Sequence, residues 1–280
     1  MIKRLVWSAA VLAIVGLVVI VGWSFRQPLS QGATFVRDLV RPSPPITFAV
    51  VGDNHGDNPV YRQILAELRH EPPAFLLNLA DLTEDGTSEE FTAVKNLERD
   101  LPFPVYHTVG SHDIKTDPTR RLFVDTFGQP AWGVFRHGSI NLIVLDNADR
   151  QVGFPTDSLD WLEPYLETDR PGVTIIAYHR PFDLPLSSLL GDDETRASRI
   201  TNERLLAILG RHPIDYIFSA HLHTYLTYTV AGIPAVVSGG GGDPAQTVLG
   251  GPKNNYFHYL LVSVSGGRIQ VEVKPMMLHN

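Results

Sequence analysis

The chain begins with a block of apolar positions and then settles into a repeating alternation. Residues 5–23, "LVWSAAVLAIVGLVVIVGW", carry no charge and are almost wholly apolar. As a helix, such a run at ~1.5 Å per residue reaches about 28 Å, close to the ~30 Å thickness of a bilayer's hydrocarbon layer. Lys3 and Arg4 precede it, Arg26 follows it, and Trp7 and Trp23 stand near its ends. The excess of positive charge ahead of the run predicts an N-terminus that stays in the cytoplasm. A cleaved signal peptide is the competing reading, but its apolar stretch is usually shorter and ends in an A-x-A-like site, for which "QGA" at 31–33 is a weak match. The pattern therefore predicts an uncleaved single-pass signal anchor over residues 1–26. A juxtamembrane linker over 27–45 follows, ending in "RPSPP", where prolines favour extended chain.

From residue 46 short β-branched runs take over: "ITFAVV" (46–51), "AFLLNLA" (74–80), "FPVYHTV" (103–109), "INLIVLD" (140–146), "VTIIAYH" (173–179), "IDYIFSA" (214–220) and "IPAVVS" (233–238). Continuous apolar runs of this length suit strands covered on both faces. Helical periodicity falls between them at 60–70, 88–100, 156–168 and 201–212. Ser88 followed by two glutamates, and Thr156 with Asp157, read as helix starts. Residues 256–275 alternate and turn at Gly266 and Gly267, which predicts a hairpin. One α/β domain over 46–280, with a mixed sheet or paired sheets, accounts for the pattern.

Composition narrows the chemistry. There is no cysteine, which excludes disulfides, thiolate metal sites and a cysteine nucleophile. All 30 acidic residues follow residue 26, against 20 of the 23 basic ones, so the exported part carries ten excess negative charges. A nucleic-acid groove needs basic surface and is not expected. A small anionic substrate remains compatible, because bound cations reverse a local field.

The polar residues then become informative by position. Five predicted strands run into a carboxylate or an imidazole: Asp53 and His55, Asp81, His112, His179, and His221 with His223. In α/β sheets the carboxyl ends of strands collect along one edge, where ligands bind. In extended chain, residues two apart face the same way, so Asp53 with His55 and His221 with His223 are expected to address one site. Imidazoles and carboxylates suit first-row transition ions, and this set is large enough for two. The other six histidines, His70, His107, His137, His212, His258 and His279, read as caps, turns or satisfied groups.

The order of these motifs resembles the calcineurin-like metallophosphoesterase superfamily: "DNH" (53–55), "AD" (80–81), "GSHD" (110–113), "YH" (178–179) and "AHLH" (220–223) stand for its D-x-H, G-D, G-N-H-[DE], H and G-H-x-H. The resemblance implies a four-layer αββα sandwich, two mixed sheets flanked by helices. It implies that Asp53, His55 and His223 hold one metal, that Asp81 bridges, and that His179 and His221 hold a second, with Ser111 at the place of an asparagine ligand. The ions would be Mn, Fe or Zn. Phosphate esters would be hydrolysed by metal-bound hydroxide, with His112 assisting the leaving oxygen. Arg180 is a candidate phosphate clamp, with a surface charge as its alternative. Asp113 is read as holding the His112 ring or forming a turn.

Three departures qualify the resemblance: Ala80 and Ala220 replace glycines, and the short Ser111 hydroxyl predicts a weaker second metal site. Glu84 stands where the purple acid phosphatase branch carries a tyrosine ligand, so no ferric–tyrosinate species is expected. "SGGGGD" (238–243) lacks the Lys-Ser/Thr of a P-loop and reads as a turn for close chain approach. Asn54 and Asp57 read as turn and cap residues. The expectation is a membrane-anchored, outward-facing phosphoesterase of small phosphorylated substrates. The alternative is a degenerate relative that binds a phospho-ligand without turnover.

Overall fold

The computed structural model describes residues 44–184, 195–244 and 256–277. Along the chain the elements are β1 (Ile46–Val51), α1 (Pro59–His70), β2 (Leu76–Asn78), α2 (Ser88–Glu98), β3 (Val105–His107), α3 (Arg121–Phe127), β4 (Gly133–His137), β5 (Ile140–Val144), α4 (Thr156–Glu167), β6 (Val173–Ala177), α5 (Arg196–Leu209), β7 (Tyr216–Ser219), β8 (Tyr225–Val230), β9 (Ile233–Ser238), β10 (His258–Ser265) and β11 (Arg268–Pro275).

They form two mixed sheets flanked by helices. The first runs β11-β10-β1-β2-β3 and the second β4-β5-β6-β7-β9-β8. β1, β2 and β3 are parallel, and the β10–β11 hairpin adds to β1 antiparallel. In the second sheet β5, β6, β7 and β9 are parallel, with antiparallel β4 and β8 at the edges.

Strand β1 shows why. Its side chains alternate between two apolar clusters. Phe48 and Val50 join Phe75 and Leu77 of the first sheet and Leu142, Val144, Ile175 and Phe218 of the second. Ala49 and Val51 join Ile64, Leu65 and Leu68 of α1 and Val94 of α2. On the far side, Ile143 and Ile176 pack with Leu159 and Leu162 of α4 and Leu205 and Ile208 of α5. A strand buried on both faces has no polar position to give, which is why these runs read as continuously apolar.

Helices α2 and α4 start at Ser88 and Thr156, as the sequence predicts, but the residues that precede and cap the helices differ from the reading. Thr87, not Ser88, caps α2, in a capping box closed by Glu90. Pro155 precedes α4 without a side-chain cap. Asn58, not Asp57, caps α1, while Asp57 pairs with Arg62. Helix α5 begins at Arg196, five residues ahead of the predicted start, because its first turn is mostly exposed and carries no apolar period. β4, β8 and α3 were not expected from the pattern. β8 is half exposed at an edge, so its apolar alternation is weak.

The predicted anchor and most of the predicted linker lie outside the described residues. Among the described residues, no helix is long and apolar enough to cross a membrane.

Candidate metal centre

Every strand that was expected to supply a site residue stops short of it. β2 ends at Asn78, and the chain then turns through Ala80 (φ 78°) and Asp81 (φ 45°). Asp53, His55, His221 and His223 also take positive φ, at 58°, 45°, 70° and 44°. None of these four is extended, so the same-face argument for residues two apart does not apply. The residues converge through left-handed turns instead, a conformation that costs a non-glycine residue about 1–2 kcal/mol and that clusters at functional sites. The turns are held by backbone bonds between the β1 and β2 loops: Asp53 N–H to Ala80 O (3.0 Å), His55 N–H to Asp81 O (2.8 Å) and Gly56 N–H to Leu82 O (2.7 Å).

Among the described residues, three groups of ligand atoms result. Asp53, His55, Asp81 and His223 form one, Asp81, His179 and His221 a second, and His55, Glu84 and His112 a more exposed third; within each, the atoms lie within 4.8 Å of one another. Asp81 belongs to the first two. Its Oδ2 is 3.7 Å from His55 Nε2 and 3.2 Å from His179 Nε2, while its Oδ1 accepts the His112 backbone N–H at 2.8 Å. His221 Nδ1 is 3.2 Å from His179 Nε2. Thus His221 and His223, adjacent in the motif, fall in different groups.

The electrostatics favour a cation. Asp53 is fully buried, and neither of its oxygens has a hydrogen-bond partner among the described residues; His55 Nε2 is likewise unpartnered. Burial pushes the Asp53 carboxyl well above its ordinary pKa, against the pull of His179. Burial also opposes ionisation of Asp81, but the His179 charge and hydrogen bond outweigh it and hold Asp81 far below the usual carboxylate range. Burial disfavours charge on His179, yet Asp81 and then Asp53 raise it to about 9. Burial, then His179, pushes His221 well below its ordinary value. The pocket thus draws positive charge inward. A buried carboxylate with no donors is costly unless a cation compensates it, and mixed imidazole and carboxylate atoms suit first-row transition ions. The residues present fit the metal ions that the family resemblance implies.

The remaining predicted residues lie close by. Ser111 Oγ donates to Asp81 Oδ2 over 3.5 Å. His112 stands at the mouth, where its Nδ1–H donates to the Glu84 carbonyl (2.8 Å) and lies 3.4 Å from Glu84 Oε1. Its ring is 4.3 Å from that of His55 between centroids. Asp113 does not hold that ring. It is buried and accepts Thr83 N–H (3.1 Å), Thr83 Oγ1 (2.9 Å) and Gly110 N–H (2.9 Å), tying the two loops together. Arg180 is partly buried, repelled by Arg150 and attracted by Asp81. His107, read as a satisfied group, ends β3 and is buried with Nε2 3.0 Å from Glu98 Oε2, outside the cluster.

Sequence reasoning missed Asn147 and assigned no supporting role to Glu84 or Asp243. Asn147 Oδ1 accepts the His179 and Arg180 N–H groups at 3.1 and 3.0 Å, fixing the end of β6. It follows β5, so the rule that strand ends collect site residues applies to it too. Glu84 Oε2 lies 2.9 Å from His55 Nδ1, and Asp243 Oδ2 lies 2.8 Å from His223 Nδ1. Neither has a local signal, since their partners are distant in sequence.

A family model described as calcineurin-like phosphoesterase matches residues 46–225. The chain is 28% identical over 163 residues to a 3′,5′-cyclic-nucleotide phosphodiesterase of Nostoc sp., covering 57% of this chain and 59% of that one. It is 28% identical over 174 residues to a probable cyclic nucleotide phosphodiesterase of Rhodococcus erythropolis, covering 59% and 56%. The chain therefore spans less than two thirds of the length of these relatives. Among solved structures, a purple acid phosphatase from yellow lupin (Lupinus luteus) seeds superposes with a TM-score of 0.67 at 15% identity, over 83% of this chain and 52% of that one. At that identity the likeness is one of fold.

Proposed function

Since the chain belongs to the calcineurin-like phosphoesterase family, we propose that it hydrolyses phosphodiesters of the cyclic-nucleotide kind at a two-metal site. The observation that carries this reading is the pair of ligand groups sharing Asp81, with the unpartnered Asp53 carboxylate buried in one of them. Asp53, His55, Asp81 and His223 would hold one ion, and Asp81, His179 and His221 the other, with Ser111 beside the second. When bound, the ions supply Lewis acidity that activates water and offsets charge on the phosphoryl oxygens. The diester preference rests on the activities of the two relatives.

The chain's own groups do the rest. His112 has its Nδ1–H committed to the Glu84 carbonyl, which leaves Nε2 to carry a proton to the departing oxygen. The Glu84 carboxylate lies 3.4 Å from Nδ1 and helps to hold the ring at the mouth. His112 N–H donates to Asp81, so the loop that carries the proton donor is tied to the loop that carries the shared carboxylate. Arg180, next to His179 in the chain, would serve as the clamp for a phosphate oxygen.

The N-terminal apolar run and the charge beside it support an anchor over 1–26, a linker over 27–45 and a catalytic domain outside the cytoplasm. Residues 46–280 make up that domain.

Ser111 favours a second reading, a phospho-ligand binder without turnover, because its hydroxyl is turned to Asp81 as a donor. One experiment separates the two. Metal content of the purified protein is measured, and hydrolysis of a cyclic nucleotide, an aryl phosphodiester and an aryl phosphomonoester is assayed with Mn, Fe and Zn. Metal-dependent diester turnover that is lost with His112→Ala supports the enzyme. Tight ligand binding with no turnover on any substrate supports the binder.

A further inference from the structure

Residues 239–242, all glycine, follow β9 and pass beneath the Asp53 group. A side chain at Gly239 would drive into the Asp53 carboxylate and the His223 backbone, and one at Gly240 into the His258 ring. Gly241 N–H donates to Gly52 O (2.8 Å) and Asp243 N–H to Asp53 O (3.1 Å), so the run is laced to the turn after β1. The lacing delivers Asp243 to the rim, where its side chain is 28% exposed.

There Asp243 Oδ2 lies 2.8 Å from His223 Nδ1, and the Pro244 carbonyl lies 3.2 Å from the same nitrogen. Both oxygens accept, so Nδ1 must carry the ring proton. The opposite tautomer would set a lone pair against two oxygens. With Nδ1 protonated in the neutral ring, the free lone pair sits on Nε2, the atom left for a cation. A carboxylate on the far nitrogen of a ligating histidine fixes its orientation and strengthens it as a donor.

We propose that Asp243 is a positioning residue for the Asp53–His55–Asp81–His223 group, fixing His223 in the Nδ1–H tautomer so that its Nε2 binds a metal ion. The inference rests on the metal-binding reading above. It assigns Asp243 no contact with the ion: its Oδ2 is 3.8 Å from His55 Nε2 and engages His223 instead.

The test is Mn²⁺ affinity of the full-length protein, by competition with a fluorescent chelator, for wild type, Asp243→Asn, Asp243→Ala and Asp243→Glu. Histidine ring ¹⁵N shifts of the metal-free proteins report the tautomer directly. Asp243→Ala is expected to weaken the tighter site about 10–100-fold and to mix the His223 tautomers. Asp243→Asn, which keeps an acceptor and loses the charge, is expected to retain the tautomer and lose about tenfold. Asp243→Glu restores part of the affinity. Wild-type protein that binds no Mn²⁺ would overturn the metal-binding reading and this inference with it. Wild type that binds while all three variants match it within twofold would overturn this inference alone, as would an Nε2–H His223 in the wild type.

Discussion

His179 Nε2 lies 3.2 Å from Asp81 Oδ2, and both side chains are buried. Asp81 follows β2 of the first sheet and His179 follows β6 of the second, so this contact joins the carboxyl edges of the two sheets. A second bond reinforces it: His179 Nδ1–H donates to the Leu79 carbonyl at 3.0 Å, which points Nε2 at Asp81.

Replacing Asp81 with asparagine therefore tests both groups at once. The amide keeps the shape and an acceptor for His112 N–H, but it removes the charge the groups share. Metal content should fall below that of the wild type, and kcat/KM for a diester should drop about 100-fold or more, or about 2.7 kcal/mol of transition-state stabilisation. Full metal content with unchanged turnover would show that Asp81 does not bridge.

Ser111→Asn puts a longer amide where the hydroxyl now donates to Asp81 over 3.5 Å. The amide oxygen adds a ligand atom to the His179–His221 side. The weaker of two metal affinities should rise about tenfold, or about 1.4 kcal/mol, with the tighter one unchanged. Calorimetric titration resolves the two steps, and identical isotherms for both proteins would remove Ser111 as the cause of any asymmetry.

Ala80 and Ala220 offer a matched comparison. Both are fully buried and both stand where the family has glycine, but Ala80 sits at φ 78° whereas Ala220 is not among the positive-φ residues. Ala80→Gly and Ala220→Gly each remove one buried methyl and add the same freedom to the unfolded chain. Only the first also relieves a left-handed backbone. Ala220→Gly should therefore cost about 1–2 kcal/mol more than Ala80→Gly in urea unfolding, and equal costs would mean that the Ala80 turn stores no strain.

His258 supplies a pH dependence away from the metal groups. Its Nδ1–H donates to the Tyr256 carbonyl (2.8 Å), and its Nε2 accepts from Ser238 Oγ (3.1 Å), so the folded ring is neutral. Burial lowers its pKa, against the Tyr256 bond. Above about pH 6.5, the ordinary histidine value, folded and unfolded rings are both neutral and the His258 contribution is intact. As pH falls further the unfolded chain takes up a proton that the folded ring refuses, so stability is lost down toward the folded pKa. The stability advantage of wild type over His258→Gln should shrink between pH 7.5 and 5 by up to about 2 kcal/mol, at 1.4 kcal/mol per pH unit. A constant difference across that interval, measured by urea unfolding, would count against a neutral buried ring.

Much of the architecture was legible because it is local. Buried strands announce themselves as apolar runs, and β1 and β9 begin and end where the pattern placed them. The β10–β11 hairpin turns at the expected glycines. Edge strand β8 and the short helix α3 escaped notice because little of either is buried.

The candidate residues were legible for the same reason. A carboxylate or imidazole at the end of an apolar strand costs a core position nothing, so its placement stands out in the sequence. How those residues meet is another matter. Asp53, His55, Asp81, His221 and His223 reach the site through left-handed turns, which spacing in an extended chain does not describe. Glu84, Asn147 and Asp243 act on partners 20 or more residues away, with no periodicity to mark them.

By itself, then, the sequence determined which side chains stand at the strand ends and which strands are buried on both faces, since both follow from near-neighbour alternation of apolar and polar positions. Only the tertiary structure decided that Asp81 serves both groups, that His221 and His223 part, and that Asp243 backs His223. Those facts depend on two sheets packing face to face, and such contacts form between segments as far apart as Leu79 and His179, which no local pattern encodes.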